Sequence, residues 1–231
     1  MYRTALLFLA IPLFALRIAA QEKRILPSCP LNIIIAVDFS GSERAYIGEI
    51  QTALRAITHT FELSETHLKI GIITFNRGAR IVLPMTGDTE TMDAAIETLE
   101  LPTLVYATDI HAAFSLAKEE FQKHSIAGVP NYFVLISDGD PHAHMRGHGF
   151  QADLINAQQL KTGDPETDLD PVHVFSLYTG RLSPYQNRFG EEVRKASIDH
   201  MQKLASDEHS FFYYQQYPVL VEFFERISNC L

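Results

Sequence analysis

Four uninterrupted runs of apolar residues, largely β-branched or aromatic, constrain the fold of this chain more than any other feature of its sequence. Each run is apolar at successive positions rather than at alternate ones, which is typical of strands that are covered on both faces of a sheet. The runs are Leu31–Val37, Leu68–Phe75, Tyr132–Ser137 and Val172–Tyr178. Segments with helical periodicity separate them, so the sequence predicts an α/β fold with a doubly wound, mostly parallel sheet and helices on both faces.

Weaker patterns complete this predicted architecture. A short apolar run at Ala79–Leu83 follows the turn residues Asn76-Arg77-Gly78, which predicts a hairpin and one antiparallel edge strand. The other predicted elements are helices at Glu43–Phe61, Asp88–Leu99, Asp109–His124, Gln151–Leu160 and Met201–Ala205, a strand at Ser210–Tyr214, and a last helix that opens at Pro218. No linker rich in Pro, Gly or Ser divides the chain, so we expect a single domain.

The first twenty residues have the pattern of a secretory signal peptide. An arginine near the start precedes an apolar run at Ala5–Leu16, and small residues at 18–20 offer a cleavage point. The alternative is a membrane anchor, but the run is shorter than the roughly 20 residues that a spanning helix requires. We therefore expect a secreted, extracellular protein with a signal peptide at 1–20, a short segment at 21–28 and one domain at 29–231.

Two cysteines are present, Cys29 just before the first predicted strand and Cys230 beside the last residue. In an oxidising compartment such a pair is expected to form a disulfide, and chain ends often lie close together on a domain surface. Two unpaired thiols are the alternative. The pattern favours a bridge that closes nearly the whole domain into one loop.

The charge balance excludes two classes of partner. The chain has 19 Lys and Arg against 28 Asp and Glu, a formal net charge of −9. Binding to nucleic acid or to anionic lipid requires a basic face, which such a chain is poorly placed to supply. No later stretch is long and apolar enough to span a membrane. We therefore expect no nucleic-acid partner and no membrane span.

Oxygen-bearing side chains follow the predicted strands where a ligand would bind. In doubly wound sheets, ligands lie beyond the carboxyl ends of the strands, where the strand order reverses. The first strand ends in the residues DFSGS at 38–42, a later strand ends in Asp138-Gly139-Asp140, and Thr108 precedes a predicted helix. Carboxylate and hydroxyl oxygens suit a hard divalent cation, Mg²⁺ first and Mn²⁺ second.

The predicted ligand set is rich in hydroxyls and poor in charge. Its members are Asp38, Ser40, Ser42, Thr108 and Asp138. Asp140 is an additional acid, which either shares the ion or caps the next turn. Two carboxylates leave the cation under-neutralised if some contacts run through water, so a carboxylate from a partner molecule is the natural sixth ligand.

These motifs resemble those of the von Willebrand factor type A domain family. DFSGS after an apolar strand, Thr108 before an Ala-containing helix, and ISDGD after a second strand are similar to the three parts of that family's metal-ion-dependent adhesion site. The resemblance runs from about Cys29 to Cys230 and agrees with a doubly wound, Rossmann-like fold. The site residues that it implies are Ser40, Ser42 and Thr108 through their hydroxyls, and Asp38 and Asp138 directly or through water.

The chain departs from the family in one loop. Residues Leu104–Ala107 stand before Thr108 where glycines are usual. The alternative to a working metal site is a domain that binds no metal and keeps these residues as turn formers. Some members of the family change their affinity for ligand when the last helix slides along the domain. Here the sequence predicts that Cys230 ends that helix. A disulfide to Cys29 would hold the helix in place, so we expect a largely fixed affinity.

Two further clusters are weaker candidates. His142, His144 and His148 would suit zinc or copper, but a solvated loop is the favoured interpretation. The acidic run at 164–170 is similar to the start of a calcium loop, yet it lacks the glycine and the glutamate that such a loop requires. We interpret it as a solvated acidic linker.

The resemblance implies a secreted, non-enzymatic adhesion or ligand-binding module. Such a module would hold Mg²⁺ or Mn²⁺ and capture an acidic side chain of an extracellular matrix or cell-surface protein, with self-association as a source of avidity. One alternative is a structural or interaction module that binds without metal. The other is a metal-dependent hydrolase, which the sequence disfavours because it has neither a phosphate-binding G-x-x-x-x-G-K loop nor a G-x-S-x-G elbow.

Overall fold

The structure is a computed structural model, and it describes residues 24–99, 107–139, 150–180 and 191–231. The predicted signal peptide lies outside the described residues, as do Asp140 and the three histidines at 142, 144 and 148. Within the described ranges, no helix has the length and hydropathy needed to cross a membrane.

One sheet of six strands forms the centre of the domain. The strands are β1 (Leu31–Asp38), β2 (Leu68–Phe75), β3 (Ala79–Thr86), β4 (Asn131–Ser137), β5 (Val172–Tyr178) and β6 (Phe211–Tyr213). Their order across the sheet is β3-β2-β1-β4-β5-β6. The β2–β3 pair is an antiparallel hairpin, whereas every other neighbouring pair is parallel. This is the doubly wound sheet, with one antiparallel edge strand, that the sequence predicts.

Helices cover both faces of this sheet. In the described part of the chain they are α1 (Ile47–His59), α2 (Thr89–Glu97), α3 (Ile110–His124), α4 (Phe150–Thr162), α5 (Glu191–Leu204) and α6 (Tyr217–Ser228). Buried residues of α1, α2 and α6 belong to one core layer, and those of α3, α4 and α5 belong to the other. Each face of the sheet therefore has its own hydrophobic layer.

The continuous apolar run of β1 follows directly from this arrangement. Successive side chains of a strand point to opposite faces of the sheet. Ile33 and Ile35 accordingly lie in the core layer of α1, whereas Ile34 and Ala36 lie in the layer of α3. All four are 0% exposed, so a polar residue at any of these positions would be buried without solvent.

Two predicted helices differ in extent from the structure. The helix predicted over Glu43–Phe61 begins with a four-residue 3-10 turn before it continues as α1. Helix α5 begins at Glu191, well before the predicted start at Met201. Its buried face carries Ser197 and His200, so the apolar periodicity that marks a helix is interrupted there.

The two chain ends described here are fastened together. A disulfide joins Cys29 to Cys230, with their Cα atoms 5.4 Å apart. The backbone N–H groups of Ser28 and Cys29 both donate to the carbonyl of Ser228, at 2.7 and 2.9 Å. Because α6 ends at Ser228, Cys230 follows the last helix, whereas the sequence predicts that it ends that helix. The bridge nevertheless ties α6 to the amino end of β1.

Candidate metal centre

The strand order reverses between β1 and β4, and the candidate site lies where these two strands end. From β1 the chain proceeds outward through β2 to β3, and from β4 it proceeds outward through β5 to β6. Connections therefore leave β1 and β4 in opposite directions, which opens a crevice at their carboxyl ends. Asp38 is the last residue of β1, and Asp138 directly follows β4.

The segment Asp38–Ser42 forms a tight turn that is closed by its own side chains. The backbone N–H of Ser40 donates to Oδ1 of Asp38 at 2.8 Å, and the hydroxyls of Ser40 and Ser42 lie 2.9 Å apart. Asp38 and Ser40 are buried, and Ser42 is half-buried. These oxygen-bearing side chains stand at alternate positions, and the turn brings the three of them together, as their spacing predicts.

The second loop is held against the first by Ser137. Its hydroxyl donates to Oδ2 of Asp38 at 2.7 Å and accepts from the backbone N–H of Gly139 at 3.0 Å. Gly139 has φ of 68°, in the left-handed region where glycine is favoured. A Cβ atom there would lie 2.5 Å from the Cγ atom of Met201. Glycine therefore lets this loop turn directly behind Asp138.

Thr108 lies at the same edge of the sheet. It is 6% exposed and directly precedes Asp109, whose side chain caps α3 by accepting from the N–H of Ala112. The backbone N–H of Asp109 donates to the carbonyl of Asn76 at 2.7 Å. Asn76 follows Phe75, which is the register partner of Asp38 on β2. The third predicted loop is thus placed beside the first.

A third carboxylate, which the sequence did not predict as a site residue, belongs to this cluster. Glu43 follows Ser42 and is 0% exposed. Its Oε1 accepts a hydrogen bond from the hydroxyl of Thr179, and the backbone N–H of Asp138 also donates to its carboxylate. One carboxylate oxygen from each of Asp38, Glu43 and Asp138 lies within 4.8 Å of the other two.

The three carboxylates are buried, and they repel one another. Burial, with the charge of Asp138 as the second cause, raises the pKa of Asp38 to about 7, although hydrogen bonds from Ser137 and Ser40 oppose this. Burial and the charges of Asp138 and Asp38 also raise the pKa of Glu43 well above its ordinary value. A divalent cation would relieve this repulsion and favour the ionised carboxylates.

The donor set fits a hard divalent cation. The predicted ligands and Glu43 offer carboxylate and hydroxyl oxygens only, and oxygen is the donor that Mg²⁺ and Mn²⁺ prefer. The carboxylates of Asp38 and Asp138 and the hydroxyls of Ser40 and Ser42 come from two loops that Ser137 joins. A cation held there would supply an electrophilic centre for an oxygen of another molecule.

The acidic run at 164–170 has a structural role. Asp164 accepts from the ammonium of Lys118 at 3.3 Å, and its backbone pairs with Leu169. The carboxylate of Asp164 also caps its own turn by accepting from the N–H of Glu166. These contacts close the connection between α4 and β5, which supports its interpretation as a linker and not a calcium loop.

Comparison with protein families gives one decisive match. Residues 33–140 match the family model of the von Willebrand factor type A domain. Residues 33–140 therefore belong to a von Willebrand factor type A domain. The matched region contains DFSGS, Thr108 and Asp138 in the order that the family resemblance requires.

Solved structures with the same fold extend the likeness over most of the chain. Proximal thread matrix protein 1 from the mussel byssus superposes with a TM-score of 0.64 at 14% identity, covering 87% of this chain and 46% of its own. BatB from Bacteroides thetaiotaomicron gives 0.57 at 20% identity, covering 86% and 98%. The pilus adhesin SpaC from Lactobacillus rhamnosus GG gives 0.60 at 12% identity, covering 87% and 30%.

At these identities the likeness concerns the fold of the von Willebrand factor type A domain. The chain spans less than half the length of the byssus protein and under a third of the pilus adhesin. The byssus protein has also been solved with zinc in its metal-ion-dependent adhesion site motif. Domains of this family are generally non-enzymatic interaction modules.

Proposed function

We propose that this protein is a secreted, non-enzymatic adhesion module that binds an extracellular protein through a divalent cation. The observation that supports it most is the junction of two loops at the switch point of the sheet. There, Ser137 holds the Asp38 carboxylate beside Asp138, and the hydroxyls of Ser40 and Ser42 face one another.

The proposed ligands of the cation are Asp38, Ser40, Ser42, Thr108 and Asp138, with Mg²⁺ as the preferred ion and Mn²⁺ as the second. Hydroxyl ligands are neutral, so only the two aspartates offset the charge of the ion. The two aspartates act directly or through water. Asp140, which lies outside the described residues, remains a candidate for an additional ligand.

The proposed partner offers a carboxylate to the bound cation. A divalent ion with a free coordination position at the surface attracts an anionic oxygen, and an Asp or Glu side chain of a matrix or cell-surface protein supplies one. The acidic net charge of −9 argues against nucleic acid as the partner. Self-association of the module would raise its avidity without any new contact.

The proposal predicts that Mg²⁺ stabilises the intact protein and not a variant without Asp138. A ligand that binds only the native state stabilises it by RT ln(1 + [L]/Kd), so the midpoint of unfolding rises with the logarithm of ligand concentration above Kd. Thermal unfolding in EDTA and in excess Mg²⁺ should therefore differ for the wild type and coincide for Asp138→Ala. Asp199→Ala is the matched control, because Asp199 is exposed and pairs with Lys203 at the surface of α5.

Partner binding tests the second half of the proposal. Protein captured from an extracellular matrix extract should be retained in Mg²⁺, released by EDTA and absent with Asp138→Ala. Retention that is unchanged in EDTA would contradict the cation-dependent mechanism and support a metal-independent interaction module instead.

A further inference from the structure

The surroundings of the Glu43 carboxylate are unusual for a residue with only a structural role. Its side chain is completely buried, and among the described residues its Oε2 atom has no hydrogen-bond partner. The groups that donate to the carboxylate, the hydroxyl of Thr179 and the N–H of Asp138, are both neutral. Among the described residues, the charges that act on the Glu43 carboxylate are those of Asp138 and Asp38, which carry the same sign.

A glutamine would satisfy the same two donors without placing a third negative charge among the other two. Burying a charge without a compensating partner is costly, and a buried carboxylate normally pairs with a cation or a metal. The buried and unpartnered Oε2 atom, together with the 4.8 Å spacing of the three carboxylates, therefore indicates a cationic ligand that Glu43 helps to compensate.

We propose that Glu43 is a third anionic residue of this cation site, which strengthens binding of the divalent cation and weakens the hold of the bound cation on a partner's carboxylate. With the two aspartates alone, a divalent ion makes the site neutral. With Glu43 ionised as well, the loaded site carries one negative charge. The first effect is independent of the proposed function, whereas the second rests on it.

The size of both effects follows from Coulomb interaction at short range. Unit charges several ångströms apart in a buried site interact strongly even at an effective dielectric constant of about 20. Removing one charge should therefore lower cation affinity at least about tenfold. By the same reasoning, it should raise the affinity of the loaded site for an incoming carboxylate several-fold. Glu43 thus raises the affinity of the site for the cation and lowers the affinity of the loaded site for a partner's carboxylate.

The test replaces Glu43 by glutamine, which keeps the size of the side chain and an acceptor for Thr179. Mn²⁺ is titrated into the metal-free protein by calorimetry, and thermal unfolding is followed in EDTA. We expect E43Q to bind Mn²⁺ at least about tenfold more weakly and to unfold at a higher temperature in EDTA, because the like-charge repulsion is relieved. A structural Glu43 would instead give unchanged Mn²⁺ affinity and a lower midpoint, and that result overturns the proposal.

Two variants control for the loss of a buried side chain. Glu120→Gln removes another buried carboxylate, which lies on α3 and accepts from the backbone of Met85 at 2.7 Å; its Mn²⁺ affinity should equal that of the wild type. Thr179→Val removes a hydrogen bond to Glu43 and leaves the charge in place. It should retain Mn²⁺ affinity closer to the wild type than E43Q does, and it keeps the proposal testable if E43Q does not fold.

Acetate tests the second effect, with the neutral acetamide as its control. Broadening of the acetate proton resonance by protein-bound Mn²⁺ measures its affinity at saturating metal. We expect E43Q to bind acetate several-fold more tightly than the wild type and acetamide to show no difference. Equal acetate affinities overturn the effect on the partner. If acetate binds to neither protein, the proposed capture of carboxylates fails, while the Mn²⁺ titration still decides whether Glu43 belongs to the cation site.

Discussion

The hydroxyl of Ser137 donates to Oδ2 of Asp38 at 2.7 Å, so the last residue of β4 orients the carboxylate at the end of β1. The same hydroxyl accepts from the N–H of Gly139. One buried serine thereby fixes both the first acidic residue of the candidate site and the loop that carries the second.

Ser137→Ala should weaken cation binding with little change in the fold. The substitution removes the hydroxyl that donates to Oδ2 of Asp38 and leaves the Ser40 N–H on Oδ1. Loss of a hydrogen bond to a charged group costs about 1.5–3 kcal/mol. We expect Mg²⁺ affinity, measured by calorimetry, to fall about tenfold or more. Ser176→Ala is the matched control, because Ser176 is also fully buried on the neighbouring strand, and its hydroxyl has no partner among the described residues. Equal losses in the two variants would contradict an orienting role for Ser137.

Gly139→Ala should destabilise the domain and disturb the site together. The added Cβ would meet Met201 Cγ at 2.5 Å and the carbonyl oxygen of Ser197 at 2.9 Å, at a φ of 68°. Gly128→Ala is an informative control, since Gly128 has a similar φ of 72° and a Cβ added there would have nothing within 4 Å. The control should lose only the backbone cost, about 1 kcal/mol. Urea unfolding should show a clearly larger loss for Gly139→Ala, accompanied by weaker Mg²⁺ binding.

Acidification should destabilise the domain partly through His173. Burial lowers the pKa of this histidine from 6.5, with Asp207 acting against it and Lys161 with it. The unfolded chain therefore takes up this proton at a higher pH than the native state does. It follows that the free energy of unfolding falls as the pH drops through 6.5 and below. His173 also contacts the hydroxyl of Ser210 through Nε2 at 2.7 Å.

His173→Gln should reduce this loss of stability at low pH. Unfolding free energies measured in urea between pH 5 and 8 should fall less steeply for the variant than for the wild type. His209→Gln serves as the control, because the His209 side chain is 89% exposed. Parallel pH profiles for wild type and His173→Gln would show that this histidine does not contribute.

Removal of the disulfide should affect both stability and affinity. A bridge across 201 residues contributes at most about 5 kcal/mol in the chain-entropy model. The double variant Cys29→Ser/Cys230→Ser should thus unfold at a lower temperature. Because the bridge fastens α6 to the amino end of β1, its loss frees the helix to shift, and the affinity of the Mg²⁺-loaded protein for acetate should change. An unchanged Kd would argue that the position of α6 is not coupled to the site.

The fold could be predicted because the sheet is buried on both faces. Continuous apolar runs such as Leu31–Val37 have few alternatives to a covered strand, and the strand–helix alternation then determines a parallel, doubly wound sheet. The predicted start of α5 at Met201 was wrong, because the buried face of this helix includes His200. That histidine is accommodated by Asp153 on α4, whose Oδ2 lies 3.0 Å from Nε2. A polar pair that is satisfied only across two helices has no signature in either helix alone.

The candidate site could be predicted only where its residues lie in a motif. Asp38, Ser40 and Ser42 alternate along one turn, and the structure brings their oxygens together as the spacing suggests. Glu43 gave no such signal, because an acidic residue in the first turn of a helix is common and usually faces solvent, where the helix dipole favours it. Only the packed structure shows that Thr179, 136 residues away, draws its carboxylate inward.

The position of the disulfide between Cys29 and Cys230 also determines where tags or other domains can be attached without covering the candidate site. It lies at the amino end of β1, whereas Asp38 lies at the opposite end of the same eight-residue strand, roughly 25 Å away. Tags, surface anchors or fused domains attached beyond either cysteine would project from the pole opposite the candidate site. A domain immobilised beyond either cysteine would therefore keep the candidate site on the side that faces the solution.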